Sequence, residues 1–133
     1  MTTNSQTAPT SASSRHLKVV PDNPTQLKDR SIVYLAGPMT GLPDWNRPAF
    51  NAATEVLEGS GLTVINPARV QLAETATWQD YMRYGLRGVS QADVIVVLPG
   101  WRQSRGAQAE VAAARSIGLP VFEYDALADG GDK

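Results

Sequence analysis

One carboxylate stands close behind a serine, two arginines and two glycines in the run Leu98-Pro99-Gly100-Trp101-Arg102-Gln103-Ser104-Arg105-Gly106-Ala107-Gln108-Ala109-Glu110. Ser104, Arg105 and Gly106 fall where an apolar run gives way to a helical pattern. The first N–H groups of a helix have no partner within it, and the positive end of its dipole points outward with them. That turn, with Ala107 behind it and Gly100 and Trp101 before it, therefore suits a phosphate or a carboxylate. Glu110 lies in the first helical turn or just beyond it and faces the same space. A carboxylate there is also favourable for the helix dipole alone, so a structural role stands beside the chemical one.

A second glycine-rich stretch, Gly37-Pro38-Met39-Thr40-Gly41, follows an earlier apolar run and also offers backbone donors. Neither stretch ends in Gly-Lys-Ser/Thr, and neither reads Gly-x-Gly-x-x-Gly. Kinase and dehydrogenase chemistry therefore lose support.

The elements that must position these loops alternate along the chain. Ser31–Ala36 reads as a buried strand, Asn46–Glu58 as a helix with Phe50, Ala53, Val56 and Leu57 on one face, and Leu62–Ile65 as a second strand. Asn46 is expected to cap the first helix. Trp78–Ser90 reads as a second helix whose apolar positions are Tyr81, Met82, Leu86 and Val89. Asp93–Leu98 is a third strand whose start Asp93 caps or positions, and a helix from about Arg105 and a strand Pro120–Tyr124 follow. This alternation predicts an α/β, doubly wound, flavodoxin- or Rossmann-like single domain with a four- or five-stranded parallel sheet. In such a sheet a ligand sits beyond the carboxyl ends of the strands, where the strand order reverses. The two glycine loops are expected to meet there.

Composition bounds the rest. In 133 residues, 42% hydrophobic and 19% charged, there is room for one domain with a real core. There is no cysteine, and the single histidine, His16, lies in a polar segment, so no metal centre and no cofactor are expected. Residues 1–30 carry a net charge of +2, while the remainder holds 8 basic and 11 acidic groups. A mildly acidic body is a poor partner for a nucleic-acid polymer, though not for a small anion. No segment is apolar enough for a membrane partner and the start lacks a signal-peptide pattern, so a cytoplasmic location is expected. Residues 1–29 read as a disordered tail, or an arm that orders on a neighbour, 30–128 as the domain and 129–133 as a frayed end.

Tyr34-Leu35-Ala36-Gly37-Pro38-Met39-Thr40-Gly41, Ala92-Asp93, and Ser104-x-Gly106-x-x-x-Glu110 followed by Ala113 and Gly118-Leu119-Pro120-Val121 resemble, in this order and spacing, the nucleoside 2-deoxyribosyltransferase superfamily. The resemblance spans roughly residues 31–124. It is closest to a small uncharacterised phage and bacterial branch, and it extends to the 2'-deoxynucleoside 5'-monophosphate N-glycosidases. It implies Glu110 as the catalytic carboxylate, Tyr34 as the group that orients it, and Ser104 with the N–H groups of Arg105, Gly106 and Ala107 as a 5'-phosphate loop, with Arg102 adding charge. Gly37, Pro38, Met39, Gly41, Gly100 and Trp101 complete the expected substrate-binding set, Trp101 either stacking on a base or acting as a lid against a neighbouring subunit. Tyr34 reads equally well as a core tyrosine with a satisfied hydroxyl.

The implied activity is cleavage of the N-glycosidic bond of a (deoxy)nucleoside or its 5'-monophosphate, by a hydrolase or a deoxyribosyltransferase. A small-molecule nucleoside or nucleotide is the implied ligand and a homo-oligomer the implied assembly, with Trp78, Tyr81 and Tyr84 as its aromatic surface. The family commonly carries an aspartate eight residues before the strand-3 aspartate, and Gly85 stands there in this chain. That departure keeps open a nucleotide-binding module that senses or sequesters its ligand without chemistry. An aspartate at 85 is expected to be tolerated by the helix. Removing Glu110 is expected to end base release and leave the thermal midpoint almost unmoved.

Overall fold

The computed structural model describes residues 30–125 together with the strand Leu17–Val19. Strands β1 (Leu17–Val19), β2 (Ile32–Ala36), β3 (Thr63–Ile65), β4 (Val94–Val97) and β5 (Val121–Tyr124) form one sheet in the order β1-β5-β4-β2-β3. The β2, β3, β4 and β5 strands are parallel, and β1 runs antiparallel along β5, with Leu17 opposite Tyr124 and Val19 opposite Phe122. Three residues of the segment read as a tail thus pair with the open edge of β5, whose backbone donors and acceptors would otherwise be unsatisfied. The frayed end expected at 129–133, and the rest of the expected tail before Arg30, lie outside the described residues.

Helices α1 (Arg47–Gly59), α2 (Trp78–Gln91) and α3 (Arg105–Ser116) link the parallel strands. Right-handed crossovers carry α1 to one face of the sheet and α2 and α3 to the other, because the chain reverses direction across the sheet between β3 and β4. Strand alternation divides the core accordingly. Val33 and Leu35 of β2 pack with Phe50 and Leu57 of α1, while Tyr34 and Ala36 pack with Val89 of α2 and Val111 of α3.

Each helix begins for a local reason. A capping box opens α2: the Thr77 hydroxyl accepts from the Asp80 N–H at 3.1 Å, and the Asp80 carboxylate accepts from the Thr77 N–H at 2.8 Å. Ser104 opens α3 by accepting the Ala107 N–H at 3.1 Å. Asn46 occupies the capping position of α1 without capping it. Its backbone is left-handed, and its side-chain amide donates to the Pro38 carbonyl at 2.9 Å instead.

The inward face of α2 departs from the hydrophobic periodicity. Gly85, Gly88 and Val89 are buried, whereas Tyr81 and Leu86 are exposed. Glycines give no hydrophobic signal, yet here they leave the space against the helix that the Tyr34 and Glu110 side chains occupy. Asp93 does position a strand start, as its carboxylate accepts the Ile32 N–H at 2.8 Å.

Candidate functional site

Tyr34 points from the middle of β2 into the layer beneath α2 and α3, and is 1% exposed. Its hydroxyl donates to Glu110 Oε2 at 2.8 Å. Glu110 shares the inner face of α3 with Ala107, Val111 and Ala114, the spacing that turns a helical stripe toward the sheet. Burial disfavours its charged form and raises its pKa to about 7, against the opposing effect of the Tyr34 hydrogen bond. Tyr34 is pushed well above the ordinary phenol value, first by burial and then by the neighbouring carboxylate. The pair is thus both a satisfied core tyrosine and a carboxylate whose charge changes near neutral pH.

Glu110 forms part of the wall of a cavity of about 740 Å³. The segments around it follow the carboxyl ends of three parallel strands: Gly37–Thr40 after β2, Pro67 and Val70 after β3, and Gln103–Ala107 after β4. The reversal of strand order lies between β2 and β4, which is where a doubly wound sheet opens a crevice. The structure therefore brings together Tyr34, Glu110, Gly37, Pro38, Met39, Ser104, Arg105, Gly106 and Ala107. With the Ala107 N–H taken by the Ser104 hydroxyl, the N–H groups of Arg105 and Gly106 remain at the start of α3 without a backbone partner among the described residues.

Three expected binding residues do not line the cavity. Trp101 is only 8% exposed and packs into the core beside Tyr34 and Ala107, so it neither stacks on a base nor forms a lid. The indole turns inward because Trp101 starts a short 3-10 turn after Gly100, whose left-handed backbone redirects the chain as it leaves β4. Gly100 itself abuts Pro38, and a Cβ on it would lie 3.3 Å from that ring. Gly41 makes a left-handed turn in open space and is exposed. Arg102 also turns away, pairing with Glu123 at 3.0 Å and lying over the Trp101 ring.

Other residues take their place. Trp45, Arg47, Trp78, Tyr81 and Met82 line the cavity and had no part in the expected set. The Arg105 guanidinium stacks on the Trp78 ring at 4.0 Å, so two of the aromatic residues expected at a subunit contact, Trp78 and Tyr81, form a wall of the cavity. Their position at the start of a helix after a parallel strand was a usable signal, since such starts lie at the ligand-binding edge of the sheet. Trp45 is 51% exposed on a turn in which Asp44, Trp45 and Asn46 are all left-handed, a conformation that costs non-glycine residues roughly 1–3 kcal/mol each. The Asn46–Pro38 hydrogen bond and an Arg47–Asp44 ion pair at 2.9 Å hold that turn.

Gly85 faces the pair at the heart of the site. A Cβ on it would lie 2.2 Å from Glu110 Oε2, so an aspartate there is accommodated only if the Glu110 carboxylate moves, a demand that the expectation of a tolerant helix left out. The obstacle is tertiary, because helix propensity takes no account of a carboxylate arriving from α3. Among the described residues, no group of three histidine, cysteine, aspartate or glutamate side chains is placed to hold a metal ion, and no helix is long and apolar enough to cross a membrane.

Among solved structures the chain is similar to a 2-deoxyribosyltransferase from the psychrotolerant bacterium Bacillus psychrosaccharolyticus, with a TM-score of 0.56 and 21% sequence identity over 68% of this chain and 69% of that one. The doubly wound fold is therefore shared with that enzyme, as the sequence motifs imply. A comparison with curated protein sequences finds no match. The profile of the family described as "Domain of unknown function (DUF4406)" matches residues 31–123, from the entry into β2 to within β5, and the chain belongs to that family.

Proposed function

We propose that this protein cleaves the N-glycosidic bond of a (deoxy)nucleoside or its 5'-monophosphate and passes the sugar to water or to a second base. The observation that carries this reading is the buried hydrogen bond from Tyr34 to Glu110 at the wall of a cavity beyond the strand ends. As the C1'–N bond breaks, its electron pair leaves with the base and positive charge develops at C1'. Ionised Glu110 meets that charge as nucleophile or electrostatic partner, and Tyr34 holds the carboxylate in place. The start of α3, with Ser104, Arg105 and Gly106, receives the 5'-phosphate. Trp45 and Tyr81 offer aromatic faces to the base. The structural likeness to a 2-deoxyribosyltransferase supports the same class of bond.

The test is incubation with a panel of nucleosides and their 5'-monophosphates, with and without a second free base, scored by chromatography for released or exchanged base. Release from at least one substrate is expected. No release and no exchange across the panel would remove the enzymatic reading.

A binding module that senses or sequesters a phosphorylated nucleoside is the second reading. It is favoured by the cavity wall, where Glu110 is the sole carboxylate among the described residues and Gly85 stands where the family pattern has an aspartate. Calorimetric binding of a 5'-monophosphate without turnover would establish it.

A further inference from the structure

Helix α2 turns Gly85 and Gly88, three residues apart and so on one face, toward the Tyr34–Glu110 pair. A Cβ on Gly85 would stand 2.2 Å from Glu110 Oε2 and 2.8 Å from the Tyr34 hydroxyl oxygen, and one on Gly88 would stand 2.8 Å from the Tyr34 ring. Real Cβ atoms essentially never come within 3.0 Å of such neighbours. Neither glycine is demanded by the backbone, since both lie in regular helix and neither has a positive φ. In a helix interior each costs roughly 0.5–1 kcal/mol relative to alanine. What the helix gains in return is room, where Tyr34 of β2 meets Glu110 of α3.

That room makes the two oxygens of Glu110 unequal. Oε2 accepts the Tyr34 hydroxyl and rests where a Gly85 side chain would be. Oε1 has no such bond, yet it is not sealed away: among the described residues, Trp101 Nε1 is the sole buried side-chain polar atom without a partner. Glu110 lines the cavity, and the oxygen engaged by Tyr34 is Oε2.

We propose that Gly85 is a positioning residue for Glu110: its missing side chain forms the slot that holds Oε2 against Tyr34 and thereby presents Oε1 to the cavity. Gly88 gives the Tyr34 ring the corresponding space. The catalytic consequence rests on Glu110 being the reacting carboxylate, but the slot itself is testable without any substrate.

The experiment follows the Glu110 carboxyl by NMR in the full chain labelled with carbon-13 at the glutamate side-chain carboxyl, the signal being identified by its loss in Glu110→Gln. Wild type, Gly85→Ala and Gly59→Ala are titrated over roughly pH 3 to 10. A Cβ on Gly59 would meet nothing within 4 Å, so Gly59→Ala is the control. The wild-type midpoint is expected at about 7. In Gly85→Ala the new methyl drives the carboxylate out of the slot toward water, and the midpoint falls by at least about one pH unit as burial is relieved.

A folded Gly85→Ala protein with the wild-type titration overturns the proposal, as does an equal shift in Gly59→Ala. Should Gly85→Ala fail to fold, the double variant Gly85→Ala/Glu110→Asp decides, because shortening the side chain by one methylene withdraws the carboxylate from the methyl. Recovery of folded protein supports the slot, and continued failure overturns it. A shifted titration together with no base release from any substrate would leave the slot standing and remove the nucleoside-cleaving reading instead.

Discussion

The two faces of the sheet are built from the same strands and do different work. Toward α1, Val33, Leu35, Val94 and Val96 meet Phe50, Ala53 and Leu57 in an apolar layer, and the buried Thr54 hydroxyl satisfies itself on the Phe50 carbonyl at 2.8 Å. Toward α2 and α3, the alternate residues of the same strands, Tyr34 among them, meet a glutamate and two glycines. One face uses its burial for cohesion. The other uses it to exclude water from an ionisable pair, raising the Glu110 pKa at the expense of stability. Burial by itself therefore does not tell the two layers apart, and the ionisable group enclosed within one of them does.

Substitutions on each face should separate these roles. The largest effect is expected from Glu110→Ala, which should lower base release by about 10²–10⁴-fold or more, measured on the best substrate of the panel with far-UV circular dichroism confirming the fold. Retention of wild-type turnover would end the assignment. Leu35→Ala, on the opposite face of the neighbouring residue, should cost about 2–5 kcal/mol in chemical denaturation while nucleotide affinity in the folded protein stays unchanged. A loss of affinity there would mean that the two faces are coupled.

A pH series sharpens the contrast. The Glu110 pKa is raised from 4.5 in the unfolded chain to about 7 in the folded one, so between those values the folded state binds more protons. Its contribution to stability is therefore present at low pH and is lost as pH rises toward 7. Glu110→Gln keeps the acceptor for Tyr34 without the charge. Above pH 7 it should exceed wild type in denaturant stability by roughly 3 kcal/mol, with the difference vanishing below about pH 4. The expectation that altering this residue barely moves the thermal midpoint gives way here, because the carboxylate is buried against Tyr34 and not poised at an open surface. Equal stability at both pH values would show that the carboxylate is not desolvated.

The smallest effect concerns the rim. Arg105 is exposed and stacked on Trp78, so Arg105→Ala should reduce the preference for a 5'-monophosphate over its nucleoside by about 1 kcal/mol, or about fivefold. Added salt should diminish the wild-type preference in the same calorimetric titration. A preference untouched by either change would place the phosphate elsewhere.

Much of this molecule is legible along the chain. The apolar run at 93–98, the glycine turns and the periodicity of Asn46–Glu58 locate β4, β2 and α1 to within a residue or two, and their alternation implies both crossovers and a crevice at the strand ends. Local pattern suffices there because a buried parallel strand and an amphipathic helix each carry their burial in their own side chains. It does not suffice for α2, where Leu86 is apolar and exposed while Gly85 and Gly88 are silent and buried. What those glycines accommodate comes from Tyr34 and Glu110, 76 positions apart in the chain. The pairing of Leu17–Val19 with β5 likewise depends on a segment distant in sequence. Pattern along the chain thus establishes the layers and the edge at which a ligand would sit. Which side chains meet at that edge is settled by packing in three dimensions, because close approach is a property of two surfaces and each segment of sequence describes only one.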